Sequence, residues 1–579
     1  MNLVLYIISA VIYLVGFLRI KKSKNELSFI QWFTLGILSG MLLNAVLAGI
    51  YGLVGIPIQC ITICIPVIIL SVILLFKSKN VKQQYILPKS DIIFLTILVV
   101  IVALFWGGYF LFKLPVRYTS VDASVHCRYA KQIAFQHTIS ANLFFGYVND
   151  GLLMEALLPI TGAVGFYHSF TLARIFDLGL AGLSFYSIIS VLGKNKYQKG
   201  LSIFLTFVYL FGYPLYAIVF GFVYFGDAIT LLSGLIIVFA FYKNKEINHN
   251  LILVLCNLFL FGIFTTYTLF VPNIFLSAFL YVVIILISKT KKLVTKDNVV
   301  EILKIFVFPC VLGMAYAYVN LKEASSGGGI SNEGGKYFDL YSNFIFLVPF
   351  VVSGLYRKFK NRDYSFLFIL FIVTTLYTLL LFAGCWMGRV STYYLSKLYN
   401  IIWLLMFIFL VEELHELSLN NRVLINGGIV VFLILGGFIL VDADTEFSEK
   451  GMIRTGSSGL MNIYSFNKEY VFGQSLLQDR EIAAFDEINT MTKDTESVLY
   501  IGNEVNANWF KTFTDQENIE TSENIETIKT RIEENQYEYL FINSSQWEDN
   551  QDYFDSIAEV TYLDECEDET DIVIVKLSS

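Results

Sequence analysis

The chain has 579 residues, of which 56% are hydrophobic and 15% are charged, and its formal net charge is −7. Soluble domains carry about 25% charged residues, and no soluble fold can bury this much apolar surface, so the composition excludes a soluble globular protein. The mean hydropathy of +0.63 instead indicates an α-helical polytopic membrane protein, since a span needs roughly 20 mostly apolar residues. We expect no nucleic-acid partner.

About fourteen apolar runs predict transmembrane helices. They lie near residues 3–18, 30–50, 57–76, 91–112, 168–193, 201–220, 227–242, 251–267, 271–288, 301–320, 343–356, 365–385, 397–411 and 423–441. The first run has no charged start and no cleavage site of small residues, and basic residues follow it at once. It therefore predicts a retained span and not a cleaved signal peptide.

The connections between the runs alternate in charge, and this alternation predicts their orientation. One set is short and basic, and it comprises residues 19–24, 77–82, 194–199, 243–245, 289–296 and 357–362. Such loops stay in the cytoplasm, because lysine and arginine resist translocation. The N-terminus and everything beyond Leu440 are then predicted to be extracytoplasmic, in a multi-pass protein of the cell membrane. The same parity places four further loops outside, namely 113–167, 221–226, 321–342 and 386–396.

The first of these outer loops, 113–167, carries the residues best suited to chemistry. Its apolar residues have helical spacing over 123–137, which predicts a helix along the membrane surface. Asp122 either is the N-cap of this helix or acts as a general base at the bilayer edge, where apolar surroundings raise the pKa of a carboxyl group. His126 follows one turn later, so both side chains can face the same way, and Arg128 belongs to the same stretch.

A metal site would need more ligands than this loop offers. One carboxylate and one histidine are too few, and His137 and His168 stand at no recognised ligand spacing. The sequence therefore predicts no metal ligands, while a divalent cation held with ligands from elsewhere stays open. The seven cysteines form no Cys-x-x-Cys pair and are typical of small buried hydrophobic residues.

Charged residues at the predicted outer ends of two spans are further candidates for site residues. Arg174 and Asp177 stand three residues apart on the fifth span, so they form an ion pair within the helix, or Arg174 meets a lipid phosphate at the interface. The aromatic loop 221–226 ends at Asp227. That residue is either the N-cap of the seventh span or a second acidic site residue.

The glycine-rich outer loop 321–342 has a different character. It lacks the phosphate-loop pattern, and its glycines resist a fixed backbone structure. The composition predicts a mobile loop that either orders over a bound substrate as a lid or stays disordered.

The outer loop 386–396 combines cations with aromatic residues. Lysine and arginine are unusual on a predicted outer face, and a lipid-linked phosphate needs charge-assisted hydrogen-bond donors. The pattern therefore favours phosphate binding. The residues concerned are Arg389, Tyr393, Tyr394 and Lys397.

The composition changes near residue 442. The chain divides into a transmembrane domain, 1–442, and an acidic, water-soluble outer domain, 443–579. We expect a small α/β fold there, whose acidic surface serves solubility or binds a partner. Its predicted strands are 497–501, 539–543 and 571–576, and its predicted helices are 525–535 and 553–558.

Three features resemble the GT-C superfamily of polytopic glycosyltransferases, which use polyprenyl-phosphate-linked sugars on the non-cytoplasmic face. The stretch Asp122-Ala-Ser-Val-His126-Cys-Arg128-Tyr-Ala resembles the first outer loop of that superfamily, where an acidic residue opens a surface helix. Thr171-Leu-Ala-Arg174-Ile-Phe resembles the span that follows. The layout, with many spans and then a soluble outer domain, is similar too. Many members carry paired acids where this chain has alanine after Asp122.

The resemblance implies that a sugar moves from a donor of the undecaprenyl-phosphate type to a cell-envelope glycan or lipid acceptor, with inversion at the anomeric carbon. Asp122 is then the catalytic base. The implied substrate-binding residues are His126, Arg128, Arg174, Asp227, Arg389, Tyr393, Tyr394 and Lys397. A polysaccharide polymerase, a transporter or flippase of lipid-linked glycans, and a non-catalytic membrane scaffold are the alternatives.

Overall fold

The computed structural model describes residues 2–20, 27–77, 85–110, 121–139, 145–244, 248–292, 294–324, 344, 347–420, 463–464, 467, 498–502, 504–514, 520–521, 524–534, 537–563 and 572–577. Three predictions lie outside these residues. They are the glycine-rich part of the loop 321–342, the span 423–441 and the domain boundary near residue 442.

Apolar α-helices dominate the described part of the first 420 residues. They are α1 (Asn2–Leu18), α2 (Phe29–Val54), α3 (Cys60–Lys77), α4 (Lys89–Phe110), α5 (Val121–Lys131), α6 (Phe145–Ile189), α7 (Lys196–Leu210), α8 (Tyr213–Val219), α9 (Val223–Asn244), α10 (His249–Thr266), α11 (Val271–Thr290), α12 (Lys296–Ala324), α13 (Val348–Lys360), α14 (Phe366–Trp386) and α15 (Thr392–Asn420). Within the described chain, 11 helical segments are long and apolar enough to cross a membrane, and α1 is a shorter apolar helix. The predicted class, a polytopic α-helical membrane protein, is confirmed.

The apolar run predicts that helix α6 begins near residue 168. The structure shows that α6 begins at Phe145. Its early residues Tyr147 and Leu152 are fully buried in a core that also includes residues of α5. Tertiary packing therefore extends this helix into the predicted outer loop 113–167. The predicted surface helix is present in the same loop as α5, which continues into one π-helical turn, Gln132–Gln136.

The predicted span 201–220 is broken into α7 and α8 at Gly212. A Cβ atom at Gly212 would lie 2.5 Å from the indole ring of Trp403, so the close approach of α15 requires glycine here. Trp403 is fully buried, and its indole N–H donates to the carbonyl oxygen of Tyr209 across 3.2 Å. The span is therefore broken where α15, which is distant in the sequence, packs against it.

Described parts of two connections that the charge pattern predicts to be cytoplasmic lie at one end of the bundle. Lys243 pairs with Asp363 at 3.0 Å, and Arg357 pairs with Glu413 at 2.8 Å. The central helix of the bundle is α9, because 89% of its apolar segment is buried. Helix α5 and the turn at Gly221 lie at the opposite end of α9.

The described part of residues 498–577 forms a small α/β unit. Its strands are β1 (Val498–Ile501), β2 (Glu520–Thr521), β3 (Tyr539–Asn543), β4 (Ala558–Leu563) and β5 (Ile572–Leu577), and its helices are α16 (Glu504–Thr514), α17 (Ile525–Glu534), α18 (Ser544–Asp549) and α19 (Gln551–Ile557). The sheet order is β2-β1-β3-β5-β4, in which β1 pairs in parallel with β2 and β3, and β5 pairs antiparallel with β3 and β4. This arrangement confirms the predicted α/β class.

The contact at Gly212 gives a test of the packing. We expect Gly212→Ala to lower the thermal unfolding temperature of the purified protein in detergent, because overpacking a close contact typically costs about 1–3 kcal/mol. Gly200→Ala is the matched control, since a Cβ atom at Gly200 meets nothing within 4 Å and alanine favours a helix. Equal unfolding temperatures for the two variants would contradict the contact with Trp403.

Candidate active site

Two glycine residues, one on each side of α5, let the backbone of this helix come into direct contact with its neighbours. A Cβ atom at Gly221 would lie 2.4 Å from the Cβ atom of Ala123, and Gly221 has a left-handed φ of 69°. A Cβ atom at Gly151 of α6 would lie 2.8 Å from the carbonyl oxygen of Ala130. Because Ala123 is fully buried in this contact, a second carboxylate directly after Asp122 has no room.

Asp122 is the second residue of α5, because the helix begins at Val121. The prediction that it is the N-cap is therefore wrong, although a carboxylate in the first turn still lies at the positive end of the helix dipole. Asp122 is half-buried, and its charge is within electrostatic reach of the hydroxyl groups of Tyr224 and Tyr267. The carboxylate therefore lies near the ends of α9 and α10 that carry Tyr224 and Tyr267.

A buried lysine occupies this region. The ammonium group of Lys397 donates a hydrogen bond to the hydroxyl oxygen of Tyr224 across 2.9 Å, and its side chain is 6% exposed. Six aromatic rings, here called the aromatic cage, have their centroids within 6.0 Å of its Nζ atom. The cage consists of Phe222, Tyr224, Phe225, Tyr267, Tyr393 and Tyr394. Attraction between a cation and aromatic rings stabilises the buried charge.

His126 lies beside the cage and is uncharged. Its Nδ1 atom is hydrogen-bonded to the Tyr147 hydroxyl, and its ring packs edge-on against Tyr224 with centroids 4.7 Å apart. Burial, together with the positive charges of Arg174 and Lys397, holds the pKa of His126 well below its ordinary value. The Nε2 atom is buried without a hydrogen-bond partner among the described residues, so it can bind a polar group of a ligand.

The hydroxyl group of Tyr267 is a second such atom. It is buried and has no hydrogen-bond partner within the described residues, and its ring stacks on Tyr224 with centroids 5.1 Å apart. The site therefore offers two buried polar atoms, the Tyr267 hydroxyl oxygen and His126 Nε2, next to one cation. Buried polar groups of this kind are usually satisfied, and a bound substrate would satisfy them.

A cluster of buried charges adjoins the cage. Arg174 contacts Asp150 and pairs with Asp177 at 2.7 Å, so the ion pair that the sequence spacing allows is present. Asp227 lines the same cavity as Arg174 and Asp177, and Phe222 of the cage lines it too. The empty volume of this cavity is about 460 Å³, including space that opens toward solvent.

Asp227 is not the N-cap of its helix. Helix α9 begins at Val223, which places Asp227 in the second turn, where it is buried. Asp150, Asp177 and Asp227 all interact electrostatically with the guanidinium group of Arg174. Burial raises the pKa of Asp150 to about 7, although Arg174 acts to lower it.

The structure brings some of the predicted residues together and leaves others apart. Asp122 and His126 lie near the aromatic cage around Lys397, to which Tyr393 and Tyr394 belong. Arg174 and Asp227 lie in the adjoining charge cluster. Arg128 is half-buried on α5, and Arg389 is exposed in the turn before α15, outside the cage.

Sequence reasoning missed Tyr147 and Tyr267 as site residues. Tyr267 ends α10 with an extended backbone, φ −151° and ψ 102°, and it lies at the predicted outer end of a span. Tyrosine is common at such positions for reasons of membrane anchoring, so the residue type alone carried no signal. Tyr147 belongs to the part of α6 that was hidden in the predicted outer loop.

The acids and histidines do not make a metal site. Within the described residues, no group of three or more His, Cys, Asp or Glu side chains is placed to hold a metal ion. Asp150, Asp177 and Asp227 are near one another, but they surround an arginine.

Two solved structures match the chain over most of its length. One is the oligosaccharyltransferase of Archaeoglobus fulgidus in the apo form, at 10% sequence identity and a TM-score of 0.46, which covers 78% of this chain and 69% of that chain. The other is ArnT from Cupriavidus metallidurans bound to undecaprenyl phosphate, at 11% identity and a TM-score of 0.46, which covers 84% of this chain and 98% of that chain. No family model and no curated protein sequence matches the chain.

The neutral state of His126 predicts a pH dependence of stability. Its pKa is lower in the folded than in the unfolded protein, where the ordinary value is 6.5. As the pH falls below that value, the unfolded chain binds a proton that the folded chain does not, so stability decreases by at most about 1.4 kcal/mol per pH unit. We expect His126→Gln to reduce the fall in thermal unfolding temperature between pH 7.5 and 5.5.

The matched control is His249→Gln. The side chain of His249 is 56% exposed at the opposite end of the bundle, so this variant controls for the loss of one histidine. A His126→Gln variant with the unchanged pH profile would show that this imidazole is not held neutral.

Proposed function

We propose that the chain is a glycosyltransferase that moves a sugar from a polyprenyl-phosphate-linked donor to a cell-envelope acceptor on the outer face of the membrane. The observation that carries the proposal is the meeting of three groups at one place. A carboxylate at the start of α5, a neutral imidazole and an ammonium group inside a cage of aromatic rings lie together where α5 meets the ends of α9, α10 and α15. The GT-C resemblance of the sequence supplies the class of donor.

Lys397 is proposed to bind the phosphate of the donor. A cation that is removed from water interacts strongly with an anion, because little solvent screens the pair. As the bond between the anomeric carbon and the phosphate oxygen breaks, negative charge develops on that oxygen, and a preorganised ammonium group stabilises it. The rings of the cage, among them Tyr393 and Tyr394, present flat apolar faces to the sugar and to the lipid.

Asp122 is proposed to be the general base. It takes the proton from the acceptor hydroxyl while the acceptor oxygen forms its bond to the anomeric carbon. One displacement with one base inverts the configuration at that carbon. The half-buried carboxylate lies in the first turn of a helix, where the helix dipole favours negative charge.

The remaining residues are proposed to bind substrate. The Nε2 atom of His126, which has no hydrogen-bond partner among the described residues, is offered to a sugar hydroxyl. Arg128 follows on the same helix. Arg174 and Asp227 line the adjoining cavity. Arg389 is exposed, so we propose that it meets the lipid headgroup at the membrane surface, where a screened charge contributes less.

Replacement of the base tests the reaction. With purified protein and a labelled polyprenyl-phosphate sugar, we expect Asp122→Asn to lower the release of polyprenyl phosphate at least ~100-fold, the usual contribution of a general base. Lys397→Met should lower it to a similar extent, because removal of one charge-stabilising donor typically costs about 10²–10³-fold. The thermal unfolding temperatures of the variants establish whether each is folded.

Asp297→Asn is the matched control for the base. Asp297 also lies in the first turn of a helix, α12, but it is exposed and belongs to the opposite end of the bundle. It should retain the parent rate. Equal rates for Asp122→Asn and the parent protein would remove Asp122 from the mechanism.

The proposed reaction requires the aromatic cage to face the outside of the cell. Arg389→Cys and Asn361→Cys place exposed thiols at opposite ends of the bundle. A membrane-impermeant maleimide added to intact cells should label the first variant and not the second, because the positive-inside rule keeps the basic connection 357–362 in the cytoplasm. The parent chain corrects for labelling of native cysteines, and the reverse pattern would rule out an exported donor.

A further inference from the structure

The outer α/β unit packs directly on the helix that carries Asp122. Ala123, Cys127 and Ala130 of α5 belong to one buried hydrophobic cluster with Trp509 and Phe513 of α16. Tyr167 of α6 closes the cluster, since its ring centroid is 3.8 Å from that of Phe513. Burial of this kind is the dominant favourable term in association, so α5 and the outer unit share a core.

Polar contacts fix the relative position of the two helices. The Thr512 hydroxyl donates to the carbonyl oxygen of Ser124 across 2.9 Å. The ammonium group of Lys131 donates to the carbonyl oxygens of Thr512 and Phe513 across 2.8 and 3.3 Å. These carbonyls lie in the last turn of α16, where a helix lacks its own donors and carries partial negative charge. Lys131 is therefore a C-terminal cap supplied by another domain.

The two ends of α5 are held through one residue, Thr512. Ser124 and Lys131 are seven residues apart, which places them two turns apart on the same face of the helix. Asp122 and His126 are one turn apart, and at 100° per residue they project from the face opposite to that of Ser124 and Lys131. The outer unit contacts one face of α5, and the opposite face of the helix lies toward the aromatic cage.

We propose that the outer α/β domain positions the catalytic helix, and that Lys131 is the positioning residue through which it acts. Lys131 is 7% exposed, so its ammonium group interacts with the end of α16 and little with solvent. It stands where α5 changes into the π-helical turn Gln132–Gln136, a type of irregularity that is common at functional sites. Loss of the contact frees the end of α5 and lets Asp122 move relative to the cage. This inference rests on the proposed function.

The test combines kinetics with hydrogen exchange in the full-length protein. We expect Lys131→Met to lower kcat roughly 10- to 100-fold while KM for the donor changes less than about twofold, because small misplacement of a reacting group costs rate and the donor still binds at Lys397. Lys131→Arg, which keeps the charge, should restore most of kcat. Amide exchange in residues 121–131 should accelerate at least ~10-fold in Lys131→Met, since local opening sets that rate.

Thr512→Val is a second variant of similar shape that removes the hydrogen bonds of the hydroxyl to the carbonyl oxygens of Ser124 and Asn508, and it should produce a smaller effect of the same kind. Lys529→Met is the matched control, because Lys529 forms a surface pair with Glu526 in the same domain and its loss should change neither kcat nor exchange. An unchanged kcat in Lys131→Met, a loss that Lys131→Arg does not restore, or an equal loss in Lys529→Met would each overturn the inference.

The exchange measurement separates this inference from the proposed function. If the wild-type protein transfers no sugar, the proposed function fails. Unchanged exchange of residues 121–131 in Lys131→Met, in a protein that does transfer sugar, instead overturns the positioning role alone.

Discussion

The candidate site depends on how closely the backbone of α5 approaches its neighbours. Ala123 packs on Gly221, and Ala130 packs on Gly151. Small residues on both partners permit these contacts, and close packing of this kind leaves the helix one well-defined position. Because α5 is fixed in this way, the Asp122 side of the helix faces the aromatic cage. A larger side chain at either contact would displace the carboxylate from the cage.

The burial of Lys397 sets the chemistry that the cage can perform. A charge inside a membrane span costs about 2.5–3.5 kcal/mol on insertion scales, so a buried ammonium group needs compensation. The Tyr224 hydroxyl and the ring of Tyr393, whose centroid is 3.9 Å from Nζ, provide part of it. Away from water, the ammonium group interacts more strongly with an anion that reaches the cage than it would in solution.

Periodicity and charge predicted most of the elements but not their junctions. The surface helix α5 and the strands Val498–Ile501 and Tyr539–Asn543 follow from local patterns. The start of α6 and the break at Gly212 do not, because the first depends on burial against α5 and the second on Trp403, far along the chain. The same limit applies to the site, where Asp122 and Lys397 stood out as misplaced charges, whereas Tyr267 resembles any tyrosine at the end of a span.

The α/β unit and helix α5 depend on each other because α5 is short. Helix α5 has 11 residues, and isolated helices shorter than about 12–15 residues are marginal in water. It must therefore gain its stability from packing, and its apolar face is buried by both α6 and the helix α16. The position of the Asp122 carboxylate thus depends on the packing of α5 against both the helical bundle and the α/β unit. This requirement couples the site to a domain that begins more than 300 residues later in the sequence.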